Sequence, residues 1–185
     1  MGVRNGSGQT CTPDKIRIAG VVRESIVDGP GLRFVVFCQG CPHGCPGCHN
    51  EATHDFSGGY DCEIEKILSA IEEDPLLDGV TFSGGEPLCQ PAAFHVLAQE
   101  IKRRFPGKNI VTFTGYTYEE LQPLAAQDPD LAGLLDLTDL LIDGRFVEAE
   151  KDLTLQFRGS RNQRIIDMNQ TRRTGVITLW DKLRK

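Results

Sequence analysis

The pattern of apolar positions predicts a series of short, buried strands. Leu32 to Phe37 is almost continuously apolar, as expected for a strand that is covered on both faces of a parallel sheet. Ile16 to Val22 alternates more loosely and predicts a first strand at the edge of that sheet. Three further apolar runs predict strands at residues 79–83, 109–114 and 140–143.

Helical patterns separate these strands. Apolar residues recur at helical spacing between residues 61 and 73, where Asp61 is suited to cap the helix. Two more helical patterns cover residues 91–104, which begin with a proline, and residues 119–135, which are interrupted near Pro129. This alternation predicts an α/β domain with a parallel sheet and right-handed crossovers. There are too few units for a closed eight-stranded barrel.

The chain of 185 residues predicts one domain over residues 15–185, preceded by a polar, Gly-rich tail over residues 1–14 that we expect to be disordered. The net charge of −6 argues against broad nucleic-acid binding. No apolar run approaches the roughly 20 residues of a membrane span. The start of the chain has no signal-peptide core, and clustered cysteines without one favour a reducing cytoplasm and a metal cofactor.

Four of the seven cysteines lie between residues 38 and 48, in a loop rich in Gly and Pro. Cys41, Cys45 and Cys48 are separated by three and two residues, so they can hold three corners of a four-iron cluster and leave the fourth iron open. A structural zinc site is the alternative, because Cys38 would supply a fourth thiolate. Cys38 follows a predicted strand directly, which argues against its belonging to the loop.

A second constellation follows the predicted strand at residues 79–83. Gly84 and Gly85 let the backbone approach a ligand closely, and Glu86 adds a negative charge before Pro87. Free carbonyl groups at a strand end, with a carboxylate beside them, can accept hydrogen bonds from an ammonium group. One helix and one strand separate this turn from the cysteines, so both lie at the same edge of the predicted sheet.

With these two motifs the chain resembles the radical S-adenosylmethionine enzymes, whose hallmark is Cys-x3-Cys-x2-Cys followed by a Gly-Gly-Glu-Pro turn. More narrowly, residues 27–34 are similar to the lead-in of the glycyl-radical-enzyme activating enzymes. Residues 114–116, 141–146 and 157–164 look most like the activators of the anaerobic ribonucleoside-triphosphate reductase. The chain departs from these patterns at His49, which resembles the pyruvate formate-lyase activator, and at Arg161, where the reductase activators usually have Ser.

The resemblance implies an open, partial (β/α) barrel of parallel strands and a set of ligand contacts. It implies a [4Fe-4S] cluster and S-adenosyl-L-methionine as cofactors. The residues that it implies for the site are Cys41, Cys45 and Cys48 for the cluster, Gly84, Gly85 and Glu86 for the ammonium group of S-adenosylmethionine, Gly47, Cys48 and His49 for its nucleoside, and Thr114 and Asp143 for further polar contacts. Asp143 has an alternative interpretation as an ordinary turn residue at a strand end.

The implied reaction is reductive cleavage of S-adenosylmethionine to a 5′-deoxyadenosyl radical, which takes a hydrogen atom from a glycine of a large glycyl-radical reductase subunit. A flavodoxin or a ferredoxin would be the electron donor. Activation of another glycyl-radical enzyme, such as pyruvate formate-lyase, and a radical reaction on a small metabolite share these motifs. A zinc-binding interaction module is the non-enzymatic alternative.

Three arginines follow the last predicted strand, at positions 158, 161 and 164. A solvated basic patch is the simpler interpretation of such a run. A docking surface for the partner protein is the functional interpretation, because Arg is favoured at interfaces.

Overall fold

The computed structural model describes residues 13–181 of the chain. Within them, the strands are β1 Lys15–Ser25, β2 Arg33–Cys38, β3 Tyr60–Glu63, β4 Gly79–Gly84, β5 Asn109–Phe113, β6 Leu140–Asp143 and β7 Arg164–Asp167. The helices are α1 Ile64–Glu72, α2 Pro91–Arg104, α3 Tyr118–Ala125, α4 Pro129–Leu137 and α5 Met168–Thr174. Except for Pro13 and Asp14, the predicted N-terminal tail lies outside the described residues, as does Cys11.

The strands form one mixed sheet in the order β3-β1-β2-β4-β5-β6-β7. The four central strands β2, β4, β5 and β6 are parallel, while β1, β3 and β7 run antiparallel to their neighbours. The α/β class is therefore confirmed, but the expectation of a wholly parallel sheet is wrong. The sheet is open, with β3 and β7 as its edges, and it does not close into a barrel.

Two predictions about the first third of the chain are wrong for the same reason. β1 is an inner strand and not an edge, because β3 pairs with it from Lys15 to Ile18. Asp61 lies within β3 and does not cap a helix, and α1 begins three residues later after Glu63, whose side chain makes no capping hydrogen bond. β3 has the sequence Tyr-Asp-Cys-Glu, which is too polar to be recognised as a strand from its pattern.

The helices pack on one face of the sheet, where alternate residues of the central strands point. Phe34 and Val36 of β2 and Val80 and Phe82 of β4 are almost fully buried there. The apolar stripe of α1 is buried as predicted, and the ring of Phe94 in α2 packs edge-on against Phe82 with 4.9 Å between centroids. None of the described helices is long and apolar enough to cross a membrane.

The opposite face of the sheet carries polar as well as apolar side chains. Arg33 lies on this face of β2 and is completely buried, although its strand reads as apolar. Its guanidinium group donates to the hydroxyl of Thr81 (3.0 Å) and to the carbonyl of Val80 (2.6 Å), and it also bonds Asn109. Burial lowers the pKa of Arg33 to about 10. The guanidinium group is thus a structural charge, and its hydrogen bonds join β2 to acceptors on β4 and β5.

Candidate functional site

The cysteine loop, residues 39–50, leaves the carboxyl end of β2 as predicted. Backbone hydrogen bonds from Gly40 to Thr53 (2.8 Å) and from Cys41 to His54 (3.1 Å) fasten the loop to a short helical turn that follows it. Cys41, Cys45 and Cys48 are free thiols of intermediate burial, and all three line one small pocket of about 120 Å³. The loop therefore brings the three predicted ligands to one cavity.

Metal binding by these thiols requires that they lose their protons. Burial raises the pKa of the Cys41 and Cys48 thiols above its usual value. An iron or zinc ion must therefore displace the protons by its own positive charge as it binds. Within residues 13–181 no group of three or more His, Cys, Asp or Glu side chains could hold a single metal ion as it stands. In a four-iron cluster each cysteine binds a different iron, so the thiols need not converge on one ion.

Cys38 does not belong to this pocket. It is fully buried at the end of β2, and burial raises the pKa of its thiol to about 12. Its sulfur accepts a hydrogen bond from Gln90 Nε2 at 3.0 Å and lies 3.5 Å from the carbonyl oxygens of Gln39 and Glu86. These contacts argue against Cys38 as the fourth thiolate of a four-cysteine zinc site.

The glycine turn, residues 84–87, is joined directly to the cysteine loop. The amide of Gly85 donates to the carbonyl of Cys38, and the amide of Glu86 donates to that of Gly40, both at 2.8 Å. A Cβ atom on Gly84 would lie 2.7 Å from the nitrogen of Cys38, and one on Gly85 would overlap the carbonyl oxygen of Gly40. The two glycines are therefore required for this close approach of the two motifs, and both also line the cysteine pocket.

The carboxylate of Glu86 is completely buried and is bonded within the chain. Its Oε2 accepts from the amide of Gly115 (2.8 Å), the hydroxyl of Thr114 (3.0 Å) and the ring of His43 (2.8 Å). Its Oε1 accepts from the amide of Leu88 (3.1 Å). The structure thus joins Glu86 and Thr114, as the shared edge predicts, but their side chains bond each other. His43 attaches the cysteine loop to them, a role that its isolated position in the sequence did not reveal.

Asp143 is not brought to the cysteines. Its buried carboxylate accepts from the amide of Tyr118 (2.8 Å) and from the guanidinium group of Arg164. Arg164 also bonds Glu119, and this contact lowers the pKa of the Glu119 carboxyl to about 2. Asp143 lines a neighbouring cavity with Gly144 and Arg145, and it does not line the cysteine pocket. These contacts match the alternative interpretation of Asp143 as a strand-terminal residue.

A larger cavity of about 470 Å³ adjoins the cysteine pocket on the polar face of the sheet. Cys48, Ser83 and Phe113 line both spaces, so the two lie side by side. His49 lines the larger cavity, with its ring centroid 6.1 Å from that of Phe146. Gly47 has a φ of +70°, which favours glycine, and a Cβ there would lie 3.1 Å from a carboxylate oxygen of Glu148.

A segment that we call the strap, residues 147–163, forms the outer wall of the larger cavity. Its two ends are held together by a bridge between Lys151 and Ser160. The amide side chain of Gln163 accepts from the amides of Gly159 (2.8 Å) and Ser160 (3.2 Å), and donates to the carbonyl of Gly144 after β6 (2.9 Å). The sequence pattern does not reveal the strap as a wall of the site, because the apolar residues of the strap are far from the cysteines along the chain.

The arrangement of three free thiols at the carboxyl edge of an α/β sheet is that of a site for a metal cluster. Residues 27–166 match the sequence profile of the family described as "4Fe-4S single cluster domain". The matched range includes the cysteine loop, the glycine turn and the whole strap. The chain therefore belongs to the family of four-iron, four-sulfur single-cluster domains.

The chain is also similar to characterised relatives along most of their length. It is 39% identical over 144 residues to the anaerobic ribonucleoside-triphosphate reductase-activating protein of Salmonella typhimurium, covering 75% of this chain and 90% of the relative. The protein of the same name from Vibrio cholerae is 39% identical over 145 residues (75% and 89%), and that of Escherichia coli K12 is 36% identical over 149 residues (75% and 90%). The chain belongs to the family of anaerobic ribonucleoside-triphosphate reductase-activating proteins.

Proposed function

We propose that the protein is a radical S-adenosylmethionine activase that generates a glycyl radical on the large subunit of an anaerobic ribonucleoside-triphosphate reductase. The observation that carries the proposal is the cysteine pocket, which three free thiols line together with Gly84 and Gly85. Backbone hydrogen bonds join the cysteine loop to the glycine turn. The names of the relatives support the choice of partner. When bound, the cluster supplies the electron that cleaves S-adenosylmethionine to methionine and the 5′-deoxyadenosyl radical.

In this proposal Cys41, Cys45 and Cys48 hold the cluster. Gly84 and Gly85 offer backbone carbonyl groups beside it, and these accept hydrogen bonds from the ammonium group of S-adenosylmethionine. Glu86 acts differently from the sequence-based expectation, because its carboxylate is used to hold the loop and turn together. It still contributes negative charge near the bound ammonium group. Its burial keeps that charge from being screened by water.

The nucleoside of S-adenosylmethionine would lie in the larger cavity, which Cys48 and His49 line. Gly47 precedes these two residues in the chain. Two aromatic rings, Phe113 and Phe146, complete this end of the cavity. They would exclude water from the space in which a carbon radical must survive. The open edge of the sheet would then admit the glycine of the partner, as in the partial barrel of the radical S-adenosylmethionine type. The cytoplasmic location and the flavodoxin or ferredoxin donor belong to the same proposal.

The cluster assignment is tested by single replacements of the cysteines in anaerobically reconstituted protein. Wild-type protein should hold about four irons per chain and absorb broadly near about 400 nm. Cys41→Ala, Cys45→Ala and Cys48→Ala should each lose both properties. Cys38→Ala is the matched control and should retain them, because its sulfur makes only internal contacts. Loss of the cluster in Cys38→Ala, or one zinc and no visible absorption in the wild type, would contradict the assignment.

The reaction is tested with reductant, S-adenosylmethionine and the reductase of the same organism. Electron paramagnetic resonance should then detect a glycine-centred radical on the reductase, and methionine and 5′-deoxyadenosine should accumulate. Consumption of S-adenosylmethionine with a small metabolite and no radical on the reductase would support a different reaction class. An unchanged S-adenosylmethionine pool would refute the activase proposal.

A further inference from the structure

The strap carries a buried hydrogen-bond donor that the chain itself does not satisfy. Arg158 lines the larger cavity, and its Nη1 donates to the carbonyl of Gln163 at 2.7 Å. Among the described residues, its Nε is the one buried side-chain nitrogen or oxygen atom without a hydrogen-bond partner. A buried donor of a charged group that lacks an acceptor costs free energy, so its persistence calls for an acceptor supplied from outside the chain.

Backbone strain beside Arg158 supports the same interpretation. Phe157 has a φ of +58° and is the one non-glycine residue of the described chain in the left-handed region. A bulky residue in this conformation is strained, and strained residues cluster at functional sites. It is held in place because the ring of Phe157 packs near that of Trp180, at 6.1 Å between centroids, and against the apolar cluster on this face of the sheet.

The position of Arg158 indicates which ligand supplies the acceptor. Arg158 and Phe157 line the larger cavity but not the cysteine pocket, so they lie on the side away from the cluster ligands. The mouth of the cavity on this side has an apolar rim, in which Leu153 is 82% exposed and Val27 is 69% exposed. An exposed apolar rim around a cavity is typical of a surface that receives a macromolecule.

We infer that Arg158 is a substrate-binding residue whose Nε–H donates a hydrogen bond to a main-chain carbonyl of the partner's glycine-bearing segment. Leu153 and Phe157 would pack against the apolar side chains that flank the glycine. This assignment rests on the proposed activase function. A peptide carbonyl fits because it is an uncharged acceptor that can enter an aromatic-lined cavity at little desolvation cost, and a guanidinium donor gives it a strong bond.

The other two arginines of the segment have partners of their own. Arg164 is held by Asp143 and Glu119, and Arg161 pairs with Asp152 at the surface while its side chain remains 73% exposed. Of the three arginines that could form a docking surface, Arg158 is therefore the one that we assign to contact with the partner. Arg161 becomes the matched control, since it lies on the same strap and has the same charge.

The test compares Arg158→Lys, Arg158→Gln and Arg161→Gln as reconstituted holoproteins. Initial rates of glycyl-radical formation are measured by electron paramagnetic resonance over a range of reductase concentrations. The rate of uncoupled S-adenosylmethionine cleavage and the dissociation constant of S-adenosylmethionine are both measured without reductase. Both Arg158 variants should raise the KM for the reductase roughly 10- to 100-fold, the effect of losing one charge-assisted hydrogen bond. The dissociation constant of S-adenosylmethionine should stay within about twofold of wild type in both Arg158 variants. In Arg161→Gln the KM for the reductase should also stay within about twofold of wild type.

Other outcomes overturn the assignment in distinguishable ways. A wild-type KM in Arg158→Lys shows that the Nε–H is not used, because lysine keeps the charge but lacks the planar fork. A weakened S-adenosylmethionine affinity in the Arg158 variants places the acceptor on that cofactor instead. An equal rise of the KM for the reductase in Arg161→Gln shows that the effect comes from the loss of a positive charge and not from a specific hydrogen bond. If an Arg158 variant loses its cluster or its melting transition, Arg158 is structural. Failure of the wild type to form any glycyl radical refutes the proposed function itself.

Discussion

Replacing Glu86 with Gln is expected mainly to lower the stability of the fold and not the affinity for a ligand, because the carboxylate is already bonded within the chain. It is completely buried and accepts four hydrogen bonds, from His43, Leu88, Thr114 and Gly115. These donors come from the cysteine loop, from the residue that follows the glycine turn, and from the segment after β5. Glu86 therefore joins three loops at one edge of the sheet.

The size of the effect follows from the number of acceptors. Glutamine has one acceptor oxygen. When that oxygen takes the place of Oε2, the NH2 group of the glutamine takes the place of Oε1 and faces the amide of Leu88. One buried amide then lacks a partner, at about 1–3 kcal/mol. The three remaining bonds lose their charge assistance, each falling from about 1.5–3 to about 1 kcal/mol. Part of this loss is offset because a buried charge is removed, so we expect the free energy of unfolding to decrease by about 2–4 kcal/mol.

The measurement is anaerobic urea unfolding of reduced, cluster-free protein. Glu120→Gln is the control, because Glu120 is exposed and completes the capping box with Thr117 at the start of α3, a role that Gln also fills. It should change stability by less than about 0.5 kcal/mol. The reasoning is refuted if Glu86→Gln keeps wild-type stability and loses only S-adenosylmethionine affinity, because the carboxylate would then be free to bind the ligand.

Two further predictions concern the glycine turn and the surface of α3. Gly85→Ala should lower the iron content after reconstitution, because its methyl group would push the carbonyl of Gly40 and the cysteine loop away, whereas Gly107→Ala, in open space, should load normally. Equal iron contents would show that the contact is dispensable. Arg164 lowers the pKa of Glu119 to about 2, so the stabilisation is present above the unfolded value of about 4.5 and is lost as the pH falls towards 2. Glu119→Gln should therefore cost at most about 1 kcal/mol near pH 6, since the pair is exposed, and the difference should disappear towards pH 2; a pH-independent difference in urea midpoints would contradict this.

The strands and helices that depend on local pattern could be predicted from the sequence. Residues 91–104 form a helix with the predicted bounds, and the helical run from residue 119 is interrupted at Pro129 as expected. β2 was recognisable because both of its faces are buried. The three cysteines were placed in one pocket by their spacing alone, since a short loop at a strand end leaves few other arrangements.

The parts that failed depend on contacts between residues distant in sequence. β3 becomes a strand only because β1 supplies a partner for its polar residues. The carboxylates of Glu86 and Asp143 were both candidates for the ligand, and most of the donors that bind them come from segments 21 to 43 residues away, such as Arg164 and His43. No local pattern specifies such pairs, so the sequence could identify which edge carries the site but not which carboxylate was already engaged.

The two backbone hydrogen bonds between the glycine turn and the cysteine loop have a consequence for how firmly the protein retains iron. Because the amides of Gly85 and Glu86 are bonded to the carbonyls of Cys38 and Gly40, a ligand that orders the turn also orders the loop that carries the thiols. Thermodynamic linkage then requires reciprocity: the factor by which iron loading tightens the ligand equals the factor by which the ligand tightens iron. Where that factor exceeds one, the protein releases iron more readily when the ligand is absent, and the two amide groups are the contacts that link the two sites.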